Sequence, residues 1–358
     1  MNDIWNTNNP RVFGGIPVVL GGDFPQILPV ILHGTRQATV LACIRHASIW
    51  ANLHIRKLKT SICVIASDAN QFFLTFLKDL VTNPLLHANH QLLRYILHVS
   101  TVDQLCDSQQ LLNNAVNNHQ ALIGRAILAF RNDTVNDFND VLVDRMPGEE
   151  ICFEAANHVE VPEDAARAEP FAVAYLQCIS LASISPSCLR LKIGAPIILL
   201  RNLSLREGLC NGTRMRLLGI RRTCLQVAIM GEKLDGKICL LPRIKLTISD
   251  DDIPFILERT QFPVHLCLAI SVNKSQTQSL QPVGIDLSTC TFTHGQLYVA
   301  LSRVEFVTGR KGPRKMWAPG PFPALHRSKT WGGVSFLVFP APVPAQAPAP
   351  PIPRMGPH

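Results

Sequence analysis

Charge and aromatic rings are scarce in this chain of 358 residues: 17% of positions are charged and 6% aromatic, with three tyrosines in all. No stretch of about 18 uninterrupted apolar residues occurs, so no segment qualifies as a membrane-crossing helix. The opening residues, MNDIWNTNNPRVFGG, lack a basic region followed by an apolar run, which removes the usual secretory signal. The eleven cysteines, from Cys43 to Cys290, contain no C-x-x-C pair and no zinc-type Cys/His spacing. Neither a metal site nor a disulfide framework is expected, and the thiols should be reduced and mostly buried. These absences describe a soluble, intracellular protein with no membrane partner.

What is present is core-forming material. The hydrophobic content is 47%, enough at this length for two domains with buried interiors. Lys+Arg number 34 against 26 Asp+Glu, a formal charge of +8. That excess favours polyanionic partners, although many soluble proteins carry it without touching nucleic acid.

The run IPVVLGG from Ile16 is β-branched and closed by two glycines, which predicts a buried strand of a parallel sheet whose partners lie outside this sequence. Helical spacing in FFLTFLKDLV and QLLRYILHV predicts amphipathic helices within residues 67–118. AILAF at 126–130 reads as a strand, and NDTVNDFNDVLVDRM after it as a helix, an α/β signature. The acidic stretch from Glu149 to Glu169 reads as a solvated loop.

Between Leu189 and Leu246 the texture becomes short strands: LRLKIGAPIILLRNL, TRMRLLGIRR, TCLQVAIM and KICLLPRIKL. Strands at this spacing predict a small antiparallel barrel. Its charge is one-sided, from Arg190, Lys192, Arg201, Arg206, Arg214, Arg216, Arg221, Arg222, Lys233, Lys237, Arg243 and Lys245, so a phosphate-contacting surface is expected. The α/β texture returns in HLCLAISV and QLYVALSRV, and after Val307 a Pro-rich tail is expected to be disordered.

Four strings, in this order, resemble the Pif/Helitron family of superfamily-one DNA helicases: FGGIPVVLGGDFPQILPV; AILAFRNDTVNDFND with MPGEE; LKIGAPIILLRNLSLREGLCNGTRMRLLGI with PRIKLTISDDDIPF; and FPVHLCLAISVNKSQTQSLQPVGIDL with THGQLYVALSRV. The resemblance implies a P-loop NTPase fold of RecA-like α/β domains. Residues 1–48 would close the first such domain, and residues 49–185 and 248–306 would form the second. An SH3-like insertion would occupy 186–247, and the tail 307–358.

The resemblance also implies roles. Asp23 and Gln26 would stand at a strand end where Gln26 senses the terminal phosphate, an amide being able to exchange a phosphate for another partner. Arg303 would be the arginine finger that neutralises charge on the transferring phosphoryl group. Lys274 and Gln276 would face the nucleotide cleft, and Asn273, Lys274 and Ser275 the DNA phosphates. Arg201, Asn211 and Arg214 would lie near the exit of the strand. ATP and Mg²⁺ are the implied cofactors, and DNA, single-stranded or forked, the partner. The location would be the nucleus, or the mitochondrion.

Phosphoryl transfer also needs a phosphate cradle, a Lys on the outer phosphates, a hydroxyl for Mg²⁺ and an acidic pair. None stands upstream of Phe13, so the expectation is the C-terminal part of such a helicase, without the Walker-type segments and inactive as an isolated chain. GEKLDGKI at 231–238 fits G-x-x-x-x-G-K, but Ile238 has no oxygen for magnesium and the segment sits between two predicted strands, so it reads as a hairpin turn. Cys63 replaces an arginine that the family places on the nucleotide, and Thr277 a glycine. Two functions are therefore expected in competition: part of a 5′-to-3′ unwinding motor, or a non-catalytic nucleic-acid-binding remnant of a mobile-element helicase.

Overall fold

The structure, a computed structural model, describes residues 13, 16–29, 31, 34–58, 68–82, 97–99, 104, 124–160, 173–179, 184–231, 234–248, 255–276, 278, 280, 283–289, 295–303 and 336–339. Cys63, Thr277 and Lys233 fall outside the described residues.

A mixed sheet organises the α/β part. Strand β1 (Leu97–Val99) is its edge, and β2 (Ala126–Ala129) is flanked in parallel by β13 (Ala269–Ser271) and β14 (Val283–Asp286). All four residues of β2 are completely buried, as a parallel strand covered on both faces requires. Helix α3 (Asn132–Arg145) follows and lays Val135, Phe138, Leu142 and Val143 on the core at helical spacing. Asn139 lies in this apolar face because its amide is fully engaged: it donates to the Leu266 and Ala269 carbonyls and accepts from the Ala269 N–H.

On the other side, α2 (Asp68–Thr82) and α5 (Gln296–Ser302) close a second core with Phe73, Leu77, Val299, Ala300 and Leu301. Also among the described residues, α1 (Arg36–Leu41) is capped by Thr35 and buries nothing, and α4 (Val173–Cys178) packs Leu176 into a third core with Leu257.

The predicted strands between 189 and 246 are present and antiparallel. Strands β6 (Pro196–Leu199), β7 (Arg214–Ile220), β8 (Cys224–Ile229) and β9 (Ile238–Pro242) form a meander, and β12 (Val264–Leu266) joins it beside β6. The turn between β8 and β9 places Gly236 at φ +77° and binds the Gly231 N–H to the Asp235 carboxylate, so GEKLDGKI is a hairpin connection as read. Strand β10 (Ile244–Ile248) leaves this meander to pair with β11 (Ile256–Gln261), which pairs with β4 (Ala156–Glu160). One buried cluster runs from Ile127 and Phe138 through Met215, Val227 and Leu241 to Phe262, so helix and meander share an interior.

Five expectations are corrected. Residues 16–20 form no strand, and Val18, Val19 and Leu20 are 37%, 96% and 50% exposed; among the described residues no strand pairs with them, and apolar residues lacking a ladder stay irregular. The end of QLLRYILHV is strand β1 rather than helix, because β15 (Phe336–Phe339) offers it an antiparallel ladder. Strand β15 also pairs with β14, so the region after Val307 is not wholly without regular structure; FLVF contains no proline to interrupt a ladder.

The acidic stretch holds β3 (Glu150–Glu154) and β4, since Ile151 and Phe153 alternate with outward polar residues; β3 pairs with β5 (Cys188–Lys192). Finally, Cys152 and Cys188 are joined in a disulfide across that pair, 36 residues apart. Of the free described cysteines Cys267 alone is buried.

Candidate functional site

Two polar clusters hold most of the candidate residues. The first joins the Asp23–Gln26 turn to this helix. The Gln26 N–H donates to the Asp23 carbonyl at 3.1 Å, and the Gln26 side-chain amide donates to Asp23 Oδ2 at 3.3 Å. The same oxygen accepts the Tyr298 hydroxyl at 3.2 Å, across 275 positions of sequence. Gly295 precedes the helix at φ +83°, and a Cβ there would stand 2.6 Å from the carbonyl oxygens of both Pro25 and Gln26. Glycine is thus needed for the backbone and for the close approach of the turn.

Arg303 ends the helix. Its Nε donates to the Val299 carbonyl at 3.3 Å and a terminal nitrogen to Ser302 Oγ at 3.0 Å, so the guanidinium lies back along its own helix. The Tyr298 phenol responds to both charges: burial first, then the Asp23 carboxylate, push its pKa up to about 12, with Arg303 acting in the opposite sense.

The second cluster surrounds a cavity of about 400 Å³ lined by Asn211, Gly212, Thr213, Lys274, Gln276 and Gln278, over a floor of Ile198–Leu200. The 211–213 turn is built locally: Asn202 accepts the Asn211 N–H at 2.7 Å, Thr213 Oγ1 donates to the Gly208 carbonyl at 2.9 Å, and Gly212 takes φ +90°. Burial lowers the Lys274 pKa, which is the environment of an ammonium that gains from an anionic neighbour. Lys274 with the amides of Asn211, Gln276 and Gln278 can receive an anionic oxygen, the ammonium supplying charge and the amides N–H donors.

Asn273 connects the clusters. It is exposed, and its Oδ1 accepts from the fully buried Gln296 at 3.5 Å, the first residue of α5 and next to Gly295. The structure therefore brings Asp23, Gln26, Asn273 and Arg303 to one helix, and Asn211, Lys274 and Gln276 to the adjoining cavity. Arg201 is exposed beside Asn202 on the same hairpin.

Two expected DNA contacts point inward instead. Ser275 is 0% exposed and donates to the Val272 carbonyl at 2.7 Å, and Arg214 is 8% exposed and donates to the Arg125 carbonyl at 2.7 Å. Other cations expected on the barrel are also occupied. Arg190 holds Glu150 with two bonds of 2.7 Å and reaches Asp144, Lys192 binds the Met146 carbonyl, and Arg243 stacks on Phe153 and Phe262. Gln296, Tyr298, Thr213 and Gln278 were missed by sequence reasoning; the first two stand in THGQLYVALSRV, where only the arginine drew notice.

Residues 1–78 match the family model described as PIF1-like helicase, and residues 174–220 that of the DNA helicase Pif1 2B domain. By these matches two segments of the chain are similar to Pif1-like helicases. The 2B match covers most of α4 with β5, β6 and β7 and overlaps the expected 186–247 insertion only in part. The ATP-dependent DNA helicase PIF6 of Trypanosoma brucei brucei is 35% identical over 121 residues, 33% of this chain and 15% of that protein. PIF1 of Danio rerio is 26% identical over 309 residues, covering 83% of this chain and 40% of the relative. A Bacteroides Pif1 solved bound to single-stranded DNA superposes with a TM-score of 0.55 at 21% identity, over 85% of this chain and 63% of the other, and shows that the fold is that of Pif1. The chain thus spans less than half of these curated relatives.

For a nucleotide, the amide of Gln26 and the cation of Arg303 are suitable groups. For Mg²⁺ the fit is poor: Asp23 Oδ2 already accepts two hydrogen bonds, and among the described residues no three His, Cys, Asp or Glu side chains cluster.

Proposed function

We propose that this chain is part of an ATP-driven, 5′-to-3′ DNA helicase of the Pif1 type. In this reading Asp23, Gln26 and Arg303 form a nucleotide-facing edge, and Asn211, Lys274 and Gln276, with Asn273 and Arg201 at the margin, form a track for single-stranded or forked DNA. The observation that carries it is the meeting of two separate segments with α5: Pro25 and Gln26 abut Gly295, and Asn273 bonds Gln296. One helix that touches the turn and also Asn273, the neighbour in sequence of Lys274, can move when nucleotide is gained or lost and so shift the DNA track. When bound, Mg²⁺ would neutralise phosphate charge; the described residues supply no step through it. The location fitting this activity is the nucleus or the mitochondrion.

Nucleic-acid binding without hydrolysis is the second reading. It is favoured by the cavity, whose lining takes nothing from the Asp23–Gln26 turn. One assay separates the two. Purified chain is titrated with a single-stranded oligonucleotide at rising salt, and ATP hydrolysis is measured with and without DNA beside an Arg303→Ala control. DNA-stimulated turnover lost in the control supports the motor. Salt-sensitive binding without turnover supports the second reading, and no binding at low salt contradicts both.

A further inference from the structure

Tyr298 stands on α5 between Gly295, which meets the turn, and Arg303, which follows the helix. We propose that Tyr298 is a positioning residue for the Gln26 amide: by donating its hydroxyl to Asp23 it holds the Asp23–Gln26 turn against the helix that leads into Arg303. The inference rests on the reading of Gln26 and Arg303 as nucleotide-facing residues.

The geometry is specific. Asp23 Oδ2 accepts from both Gln26 Nε2 and the Tyr298 hydroxyl, so the oxygen that orients the amide is itself fixed by the phenol. The other contacts of the turn are partial: Ile27 packs against the core beside α5, and Phe24 meets Trp50 edge-on and Arg45. No described residue between 16 and 58 is buried, and Phe24 is 53% exposed. The tyrosine is well anchored, its ring packing on the core formed by Val299, Ala300 and Leu301. The hydroxyl stays protonated, hence a donor, over the whole working pH range, because burial and Asp23 outweigh Arg303. Loss of one hydroxyl should therefore free the turn without disturbing the helix.

The test is amide hydrogen exchange on the full chain. In Tyr298→Phe, which keeps the ring, amides of residues 23–29 should exchange roughly three- to tenfold faster while those of β2 and β13 are unchanged. Asp23→Ala should match it, the double substitution should be no faster than either, and Asp23→Asn, which keeps an acceptor oxygen, should restore most of the protection. Unchanged exchange at 23–29 in Tyr298→Phe, or additive effects in the double variant, would overturn the proposal. A fluorescent non-hydrolysable ATP analogue supplies the second arm. Tyr298→Phe should weaken its binding severalfold and leave oligonucleotide binding unaltered, and equal affinity for the analogue would count against the positioning role. A wild-type chain that binds no analogue would instead overturn the nucleotide reading, and the exchange result alone would then support or sink the hold of Tyr298 on the turn.

Discussion

The interior around α3 and the segment 16–58 obey different rules. In the first, Phe138, Leu142, Leu217 and Val227 are at most 2% exposed, and the buried Asn139 amide is held by the backbone of Leu266 and Ala269. In the second no described residue is buried, and the attachment to α5 rests on a shared carboxylate oxygen, a glycine contact and the partly buried Ile27. Packing therefore sets the stability of the first region, whereas a few polar and steric contacts set the position of the second. A region held so lightly can shift at small cost, as a segment that answers to a ligand must.

The sharpest way to break this comparison is to truncate equivalent rings. Phe138→Ala should destabilise by about 3–5 kcal/mol, through lost transfer energy and a cavity. Phe24→Ala, half exposed, should cost under about 1 kcal/mol. Urea midpoints would measure both, and similar values would erase the distinction. Next in size is Gly295→Ala. A left-handed backbone and a 2.6 Å approach to two carbonyl oxygens should together cost about 1–3 kcal/mol locally, seen as faster exchange in residues 23–29.

The cavity sharpens the comparison from the functional side. Lys274→Ala should lower single-strand affinity about tenfold at low salt and reduce the salt slope by about 0.7, one phosphate contact, in a fluorescence titration. Ser275→Ala, whose hydroxyl is buried, should leave that slope alone. The smallest effect concerns His265. Burial first, then Lys274, lowers its folded pKa below the unfolded value of 6.5, so the stability it contributes is present above pH 6.5 and falls away as pH drops toward the folded value. The urea midpoint should decline between pH 7.5 and 5.5 in the wild type and decline less in His265→Gln.

Legibility in the sequence followed the same division. Strand β2, helix α3 and the β8–β9 hairpin were readable because period, turn residues and burial agree there. The strand expected at Ile16 was not found, since β-branched composition states that a segment would suit a ladder, not that a partner exists. FLVF was hidden by the proline content around it, which describes an average and not four residues. The Cys152–Cys188 link depends on the β3–β5 register, which no local spacing reveals. Gln26, Lys274 and Arg303 were named through the family resemblance, and the structure sets Gln26 and Arg303 at α5 and Lys274 on the adjoining cavity. Tyr298 and Gln296 were not named, because their partners lie 275 and 23 positions away. Ser275 and Arg214 carry the right chemistry on the wrong side of the backbone.

The convergence of the turn and α5 is open to one direct measurement. A photoreactive benzoylphenylalanine placed at position 27, whose isoleucine packs against the same core as Leu297 and Tyr298, and irradiated in the full chain should cross-link to the peptide containing residues 295–303, identified by mass spectrometry. Cross-links confined to other segments, with none to that peptide, would contradict the account.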